Sequence, residues 1–416
     1  MILGVIADDF TGATDVASML VRQGLRAVVC TDLHDPLPGE ADAVVVALKS
    51  RTAPVQQAVA DSLAALAWLR QGAPRQIYFK YCSTFDSTAH GNIGPVAEAL
   101  LDALGAPLAI ACPALPENGR TVFQGHLFVG EQLLHESGMR HHPLTPMTDA
   151  NLVRVLQAQS RGRVGLATHS VVRQGPAALA AHLAQLATQG HRLVVVDAVD
   201  GAALESLAGA CVDHALVTAG SGLALALPAV YAQRGWYQPR SDAAPLPPAQ
   251  GRAAIVAGSC SQATQVQVAH WRDAGLPAWR LDPAALAAGG DLVAEALRWA
   301  AAQGASPTLF HATADPEAVR ASQALLGADA GAQIEHCLAR IAVALVEGGV
   351  GRLVVAGGET SGAVTQALGV GQLRIGGTID PGVPWTQVEG RPLWLALKSG
   401  NFGSVDFFAK SLAISS

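Results

Sequence analysis

Residues 1–20 read MILGVIADDFTGATDVASML. An apolar run over residues 2–7 stops at two adjacent carboxylates, Asp8 and Asp9, and a Thr-Gly step then leads into a helical pattern. A short strand without polar alternation is one covered on both faces, and a helix directly behind it opens a βαβ unit. Open α/β sheets bind ligands outside the carboxyl ends of their strands. Two acids placed there repel each other, so the stretch predicts something cationic or proton-hungry close by. Asp9 also suits the N-cap of the helix that follows.

The same unit recurs. Strands are predicted at 3–7, 27–30, 43–48, 76–81, 108–112, 164–168, 193–196 and 216–218, with helices at 13–23, 55–71, 94–104, 152–159, 176–189 and 202–207. Residues 113–140 lack a clean period and read as a long loop with a hairpin, the kind of loop that is often functional. Residues 234–250, RGWYQPRSDAAPLPPAQ, carry four prolines and read as a connector. The pattern then restarts, with strands at 253–257, 278–281, 308–311, 352–356 and 393–397 and helices at 262–274, 293–303, 332–347, 361–368 and 405–412. The expected architecture is α/β in two domains, 1–240 and 241–416. Each domain is built on a mainly parallel sheet flanked by helices, with the active site in the crevice between them.

Composition narrows the function. Half of the 416 residues are apolar, 14% are charged, and the formal net charge is -6. No basic stripe with interleaved aromatics appears, which argues against nucleic acid. No apolar run of ~18 residues appears, so no membrane span is expected. The N-terminus lacks a basic region and a cleavage site, and the six cysteines form no CxxC pair. Both features suit reduced thiols in the cytoplasm. The thirteen histidines include His141-His142 but give no zinc spacing, so metal ligands stay unassigned.

Three turns after residue 250 share one design. Gly258-Ser259-Cys260-Ser261, Gly357-Gly358-Glu359-Thr360-Ser361-Gly362 and Lys398-Ser399-Gly400-Asn401-Phe402-Gly403-Ser404 each follow a strand and precede a helix. Glycine permits close backbone approach, and a helix start offers unpaired N–H groups; together these suit phosphate. No GxxxxGK[ST] occurs, and no GxGxxG follows the first strand. Gly220-Ser221-Gly222 has no third glycine and reads as a tight turn.

The first half gathers different chemistry. Arg51 follows the third strand, Lys80 lies at the end of the fourth with Ser83 and Asp86 just after it, and Asn118 and Arg120 lie in the long loop. Cations for a carboxylate, with Asp, Asn and Ser for hydroxyls, suit a small polar anion such as a sugar acid.

These residues resemble a known family, the four-carbon acid sugar kinases. The resemblance rests on IADDFTGATDVA at the start, Lys80–Thr88, Pro113–Thr121, Gly258–Thr264, GGETSGAV at 357–364 and ALKSGNFG at 396–403. It implies an N-terminal domain for the acid sugar and a C-terminal domain for ATP, with Mg²⁺ on the phosphates. Asp8 or Asp9 would act as the base or hold Mg²⁺ through water, and Lys80 or Arg120 would clamp the substrate carboxylate. Ser259, Gly357, Gly358, Glu359, Thr360 and Gly403 would contact the nucleotide. The closing motif is most similar to the branch acting on 3-oxo-tetronate, ahead of the threonate and erythronate branches. The implied partners are a small acid sugar and ATP, with oligomeric state open and a homo-oligomer included. An NAD-dependent dehydrogenase or a non-catalytic sugar-acid binder are the alternatives, the former disfavoured by the missing dinucleotide fingerprint.

Overall fold

The structure is a computed structural model that describes residues 1–142, 144–327 and 329–413. It forms two compact units, Met1–Ala243 and Ala244–Ser416.

In the first unit, strands β1 (Leu3–Ala7), β2 (Ala27–Cys30), β3 (Ala43–Ala47), β4 (Gln76–Lys80) and β5 (Ala109–Cys112) come first. The hairpin strands β6 (Arg120–Phe123), β7 (His126–Val129) and β8 (Gln132–Leu133) follow, then β9 (Arg163–Ala167), β10 (His191–Val196) and β11 (Leu216–Ala219). The main sheet runs β2-β3-β1-β4-β11-β5-β10-β9 and is parallel throughout. All five residues of β1 are buried, because helices cover both faces. From β1 the chain goes to the edge strand β2, returns through β3 between them, then crosses to β4 on the other side of β1. The carboxyl end of β1 is therefore a switch point, where neighbouring loops diverge and leave a crevice.

Each strand predicted in this half is present. The long loop contains the expected hairpin, extended to three antiparallel strands β6-β7-β8. Two helices escaped prediction, the single turn His169–Val172 and the longer Leu223–Gln233, which has Pro228 inside it and is apolar almost all round. In the longer one, a proline and a missing polar face remove both helix signals from the sequence.

The second unit contains β12 (Arg252–Ala257), β13 (Ala278–Arg280), β14 (Thr308–His311), β15 (Val350–Ala356), β16 (Gln372–Asp380), β17 (Val383–Val388) and β18 (Trp394–Lys398). Their order is β13-β14-β12-β15-β18-β17-β16, with the first five parallel and β17 and β16 antiparallel. β16 and β17 were not predicted. Gly376-Gly377, Pro381 and Pro384 punctuate them and read as loop. Gly376 is required by packing, since a Cβ there would meet Leu246 Cδ1 at 2.5 Å. The core gathers Ile255, Leu309, Val354, Trp271, Trp385 and Phe407. Among the described residues no helix is long and apolar enough to cross a membrane.

Candidate functional site

At the tip of β1 the backbone is fixed first. The Asp8 N–H donates to the Lys80 carbonyl, and the Asp8 carbonyl accepts from Ser50 and Arg51. Three loops thereby meet at one point, and Asn92 locks the second by donating to the carbonyls of Ser50 and Ala53 at 2.7 and 2.9 Å. The predicted cation is Arg51. Its Nε and one terminal nitrogen donate to both oxygens of Asp8, at 2.9 and 2.8 Å, and the latter nitrogen also reaches Asp9 at 2.7 Å. Its other terminal nitrogen lies 3.7 Å from Asp86.

The two neighbouring acids are not equivalent. Asp9 caps helix Phe10–Arg22, accepting from Gly12 N–H at 3.0 Å and from the Thr11 hydroxyl at 2.8 Å. Burial opposes its charge, but Arg51, Lys80 and these donors hold Asp9 below the usual carboxylate range. Asp8 is pushed up by burial, against the pull of Arg51. The Asp9 side chain is 27% exposed and that of Asp8 5%. Only Asp9 has a face free for a ligand.

Asp86 reaches Arg51 through a strained loop. Phe85 and Asp86 have φ of 65° and 44°, left-handed values that side chains resist at about 1–3 kcal/mol each. The conformation is held because Phe85 is buried edge-on against Tyr81 and because the Thr84 hydroxyl donates to Asp86 at 2.7 Å. Ser83, in the same loop, is half-buried.

Lys80 is buried at the end of β4. Its ammonium donates to the Tyr81 carbonyl at 2.9 Å and lies 3.8 Å from Asp15. Asp15 was missed by sequence reasoning, because one acid inside a helical segment reads as a solvated position. It is buried, burial pushes its carboxyl up against Lys80, and it faces the Ser221 hydroxyl. Ser221 is itself buried without a hydrogen-bond partner among the described residues. The tight turn at 220–222 thus carries a polar group to the same crevice. Asn118 and Arg120 form a second group at the foot of the hairpin. Arg120 donates to the Asn118 carbonyl at 2.5 Å, its Nε has no partner, and no hydrogen bond among the described residues ties the two to the Asp8 cluster.

In the second unit the three glycine turns come together. A Cβ on Gly258 would overlap the Thr360 hydroxyl, one on Gly357 would lie 2.7 Å from it, and one on Gly400 would overlap Ser259. Gly357 has φ of 133° and caps helix Gly358–Ala367, so Gly358, Glu359 and Thr360 belong to the first helical turn, where N–H groups lack partners. Gly358 and Glu359 are exposed, whereas Thr360 is buried behind them. Gly403, with φ of 85°, is held by Gln267, whose amide donates to the carbonyls of Phe402, Gly403 and Ser404 at 3.1, 3.0 and 2.9 Å. Asp380 accepts from Ser404 N–H and hydroxyl at 2.8 Å each and from Lys410.

Lys398 ends β18 with 0% of its surface exposed. It was quoted in its motif but not selected as a site residue, although a lysine inside the apolar run LWLALKSG was the available signal. Its ammonium donates to Thr264 Oγ1, Ser399 O and Gly400 O at 3.1, 2.9 and 3.0 Å. Burial without a counter-charge pushes it down to about 7.

Each of the two α/β units matches a family model. Residues 3–227 match the sugar-binding N-terminal domain and residues 254–408 the nucleotide-binding C-terminal domain. The chain belongs to the four-carbon acid sugar kinase family. Within it, the chain is 56% identical to the 3-oxo-tetronate kinase of Cupriavidus necator, covering 99% of this chain and 96% of that one. It is 47% identical to the 3-oxo-tetronate kinase of Salmonella typhimurium, covering 98% of each. Among solved structures, a Salmonella typhimurium protein superposes with a TM-score of 0.88 at 46% identity, covering 99% of this chain and 98% of that one. A Haemophilus influenzae protein superposes with a TM-score of 0.83 at 44% identity, covering 99% of each.

Proposed function

We propose that the protein is an ATP-dependent kinase that phosphorylates the terminal hydroxyl of 3-oxo-tetronate, giving 3-oxo-tetronate 4-phosphate and ADP. The observation that carries this reading is the 56% identity to a 3-oxo-tetronate kinase over 99% of the chain, which spans both domains. In phosphoryl transfer the protein acts mainly by positioning and electrostatics. Asp9, ionised and partly exposed, accepts the hydrogen bond of the attacking hydroxyl and then its proton. Arg51 bridges Asp8 and Asp9 and offsets the repulsion between them. Lys80 is engaged with Asp15 and Tyr81, which leaves Arg120, with its unpartnered Nε, as the group for the substrate carboxylate. Ser83, Asp86 and Asn118 are the candidates for the remaining substrate oxygens.

In the second unit, Ser259, the N-terminal turn Gly357-Gly358-Glu359-Thr360 and Gly403 receive the nucleotide. Exposed N–H groups at a helix start are suited to phosphate oxygens. Among the described residues no group of three acids, histidines or cysteines forms a metal cage. That donor set fits Mg²⁺ carried on the nucleotide phosphates, with Asp9 reaching it through water. When bound, the ion neutralises charge on the phosphates. A cytoplasmic location suits an ATP-dependent enzyme whose six cysteines are all free thiols.

The test is a coupled ADP-release assay with 3-oxo-tetronate, threonate and erythronate as substrates. The reading requires turnover with 3-oxo-tetronate well above the other two. Release of ADP with none of them overturns it.

A further inference from the structure

The turn after β18 carries two peptide N–H groups, those of Gly400 and Asn401, that have no hydrogen-bond partner among the described residues. Their directions are set by the carbonyls before them. In a trans peptide the C=O and the following N–H point in opposite directions. The Ser399 and Gly400 carbonyls both turn inward onto the Lys398 ammonium, at 2.9 and 3.0 Å. The Gly400 carbonyl also accepts from the hydroxyls of Ser261 and Thr264, at 2.6 and 2.9 Å. With three donors fixed on that one carbonyl, the Gly400 and Asn401 N–H groups must face the opposite side, toward solvent. Successive N–H groups held this way make an anion-binding concavity.

The third proton of the ammonium goes to Thr264 Oγ1 at 3.1 Å, on helix Gln262–Asp273 behind the first glycine turn. One buried ammonium therefore ties the 399–403 turn to the 258–264 turn. An ammonium has three donors, and all three are used here on neutral oxygens. Among the described residues no carboxylate pairs with it, so its charge is not consumed in an ion pair, and burial pushes its pKa down. A buried cation without a counter-ion is costly and is retained where it does something a neutral side chain cannot.

We propose that Lys398 is a positioning residue for ATP: by gathering the Ser399 and Gly400 carbonyls it aims the Gly400 and Asn401 N–H groups at the nucleotide's phosphates. The inference rests on the kinase reading, since it takes the glycine turns as the phosphate site.

The experiment compares Lys398→Met with Thr264→Val, which removes only the hydroxyl shared by the ammonium and the Gly400 carbonyl. Steady-state kinetics with ATP and acid sugar varied separately are the readout, with circular dichroism as the check on folding. Hydrogen bonds to a charged group predict a rise of roughly 10–100-fold in KM for ATP in Lys398→Met, with KM for the acid sugar unchanged. Thr264→Val shifts KM for ATP in the same direction by less, and the double variant is less than additive because the two side chains share one network. Lys398→Arg does not restore the wild-type value, since a planar guanidinium cannot reach the same three oxygens. If Lys398→Met fails to fold, Thr264→Val alone decides. An unchanged KM for ATP in a folded variant, or equal rises for both substrates, overturns the positioning role. A wild-type protein that releases no ADP with any four-carbon acid overturns the kinase reading instead, so the two failures are distinct.

Discussion

Lys80 and Lys398 stand at equivalent places, each the last residue of a buried parallel strand, and each folds its ammonium back onto the carbonyl of the next residue. Their surroundings differ. Lys80 lies among acids, 3.8 Å from Asp15 and within the field of Asp9. Lys398 meets only a hydroxyl and two carbonyls. The first unit thus gathers ionised side chains at its strand tips, which suits activation of a hydroxyl. The second gathers glycines, hydroxyls and backbone, which suits a ligand that brings its own negative charge. The contrast teaches that an α/β strand tip is a general mount, and that the residues placed on it set the chemistry.

The largest expected effect lies on the ionic side. Asp9→Asn keeps a good N-cap for helix Phe10–Arg22 but removes the proposed base. Its kcat is expected to fall by roughly 10²–10⁴-fold with the fold intact. Near-normal turnover would remove Asp9 from the mechanism.

Next comes Arg51→Met, which leaves Asp8 buried without its cation. Breaking one partner of a buried pair costs about 3–5 kcal/mol, measurable as a lower denaturation midpoint. A change within experimental error would mean that the acids do not depend on Arg51.

On the backbone side, Gly358→Val is a clean probe, because a Cβ at Gly358 meets nothing within 4 Å. Stability is expected to stay near wild type while ATP binding weakens by roughly tenfold, about 1.4 kcal/mol. Unchanged ATP affinity would take this helix start out of the phosphate site.

A separate effect concerns pH. Lys398 has a folded value of about 7, whereas in the unfolded chain it keeps its proton to near pH ~10.4. Between these values the unfolded state binds more protons, so stability rises with pH. The unfolding free energy of the wild type relative to Lys398→Met should therefore increase from pH 7 to ~10. A flat difference would mean that Lys398 keeps its proton in the folded state throughout.

The sequence made the ionic side more legible than the backbone side. Adjacent acids at the end of an apolar strand demanded something cationic or proton-hungry, and Arg51 occupies that place in the structure. Asp15 and Ser221 were hidden, one as a polar position in a helix and the other inside a turn, because burial is a tertiary property. The parallel strands of the second unit carry continuous apolar runs and could be read directly. The antiparallel pair β16 and β17 could not, since its glycines and prolines imitate a loop. Lys398 was visible as a charge within an apolar strand, but its three oxygens come from two separate turns that only the fold unites.

The division of labour between the units is tested most directly by titrating ATP and acid sugar separately, by calorimetry, into wild type, Asp9→Asn and Gly358→Val. The account predicts that Gly358→Val weakens ATP alone, while Asp9→Asn leaves ATP affinity near wild type. Loss of ATP affinity in Asp9→Asn with none in Gly358→Val would contradict it.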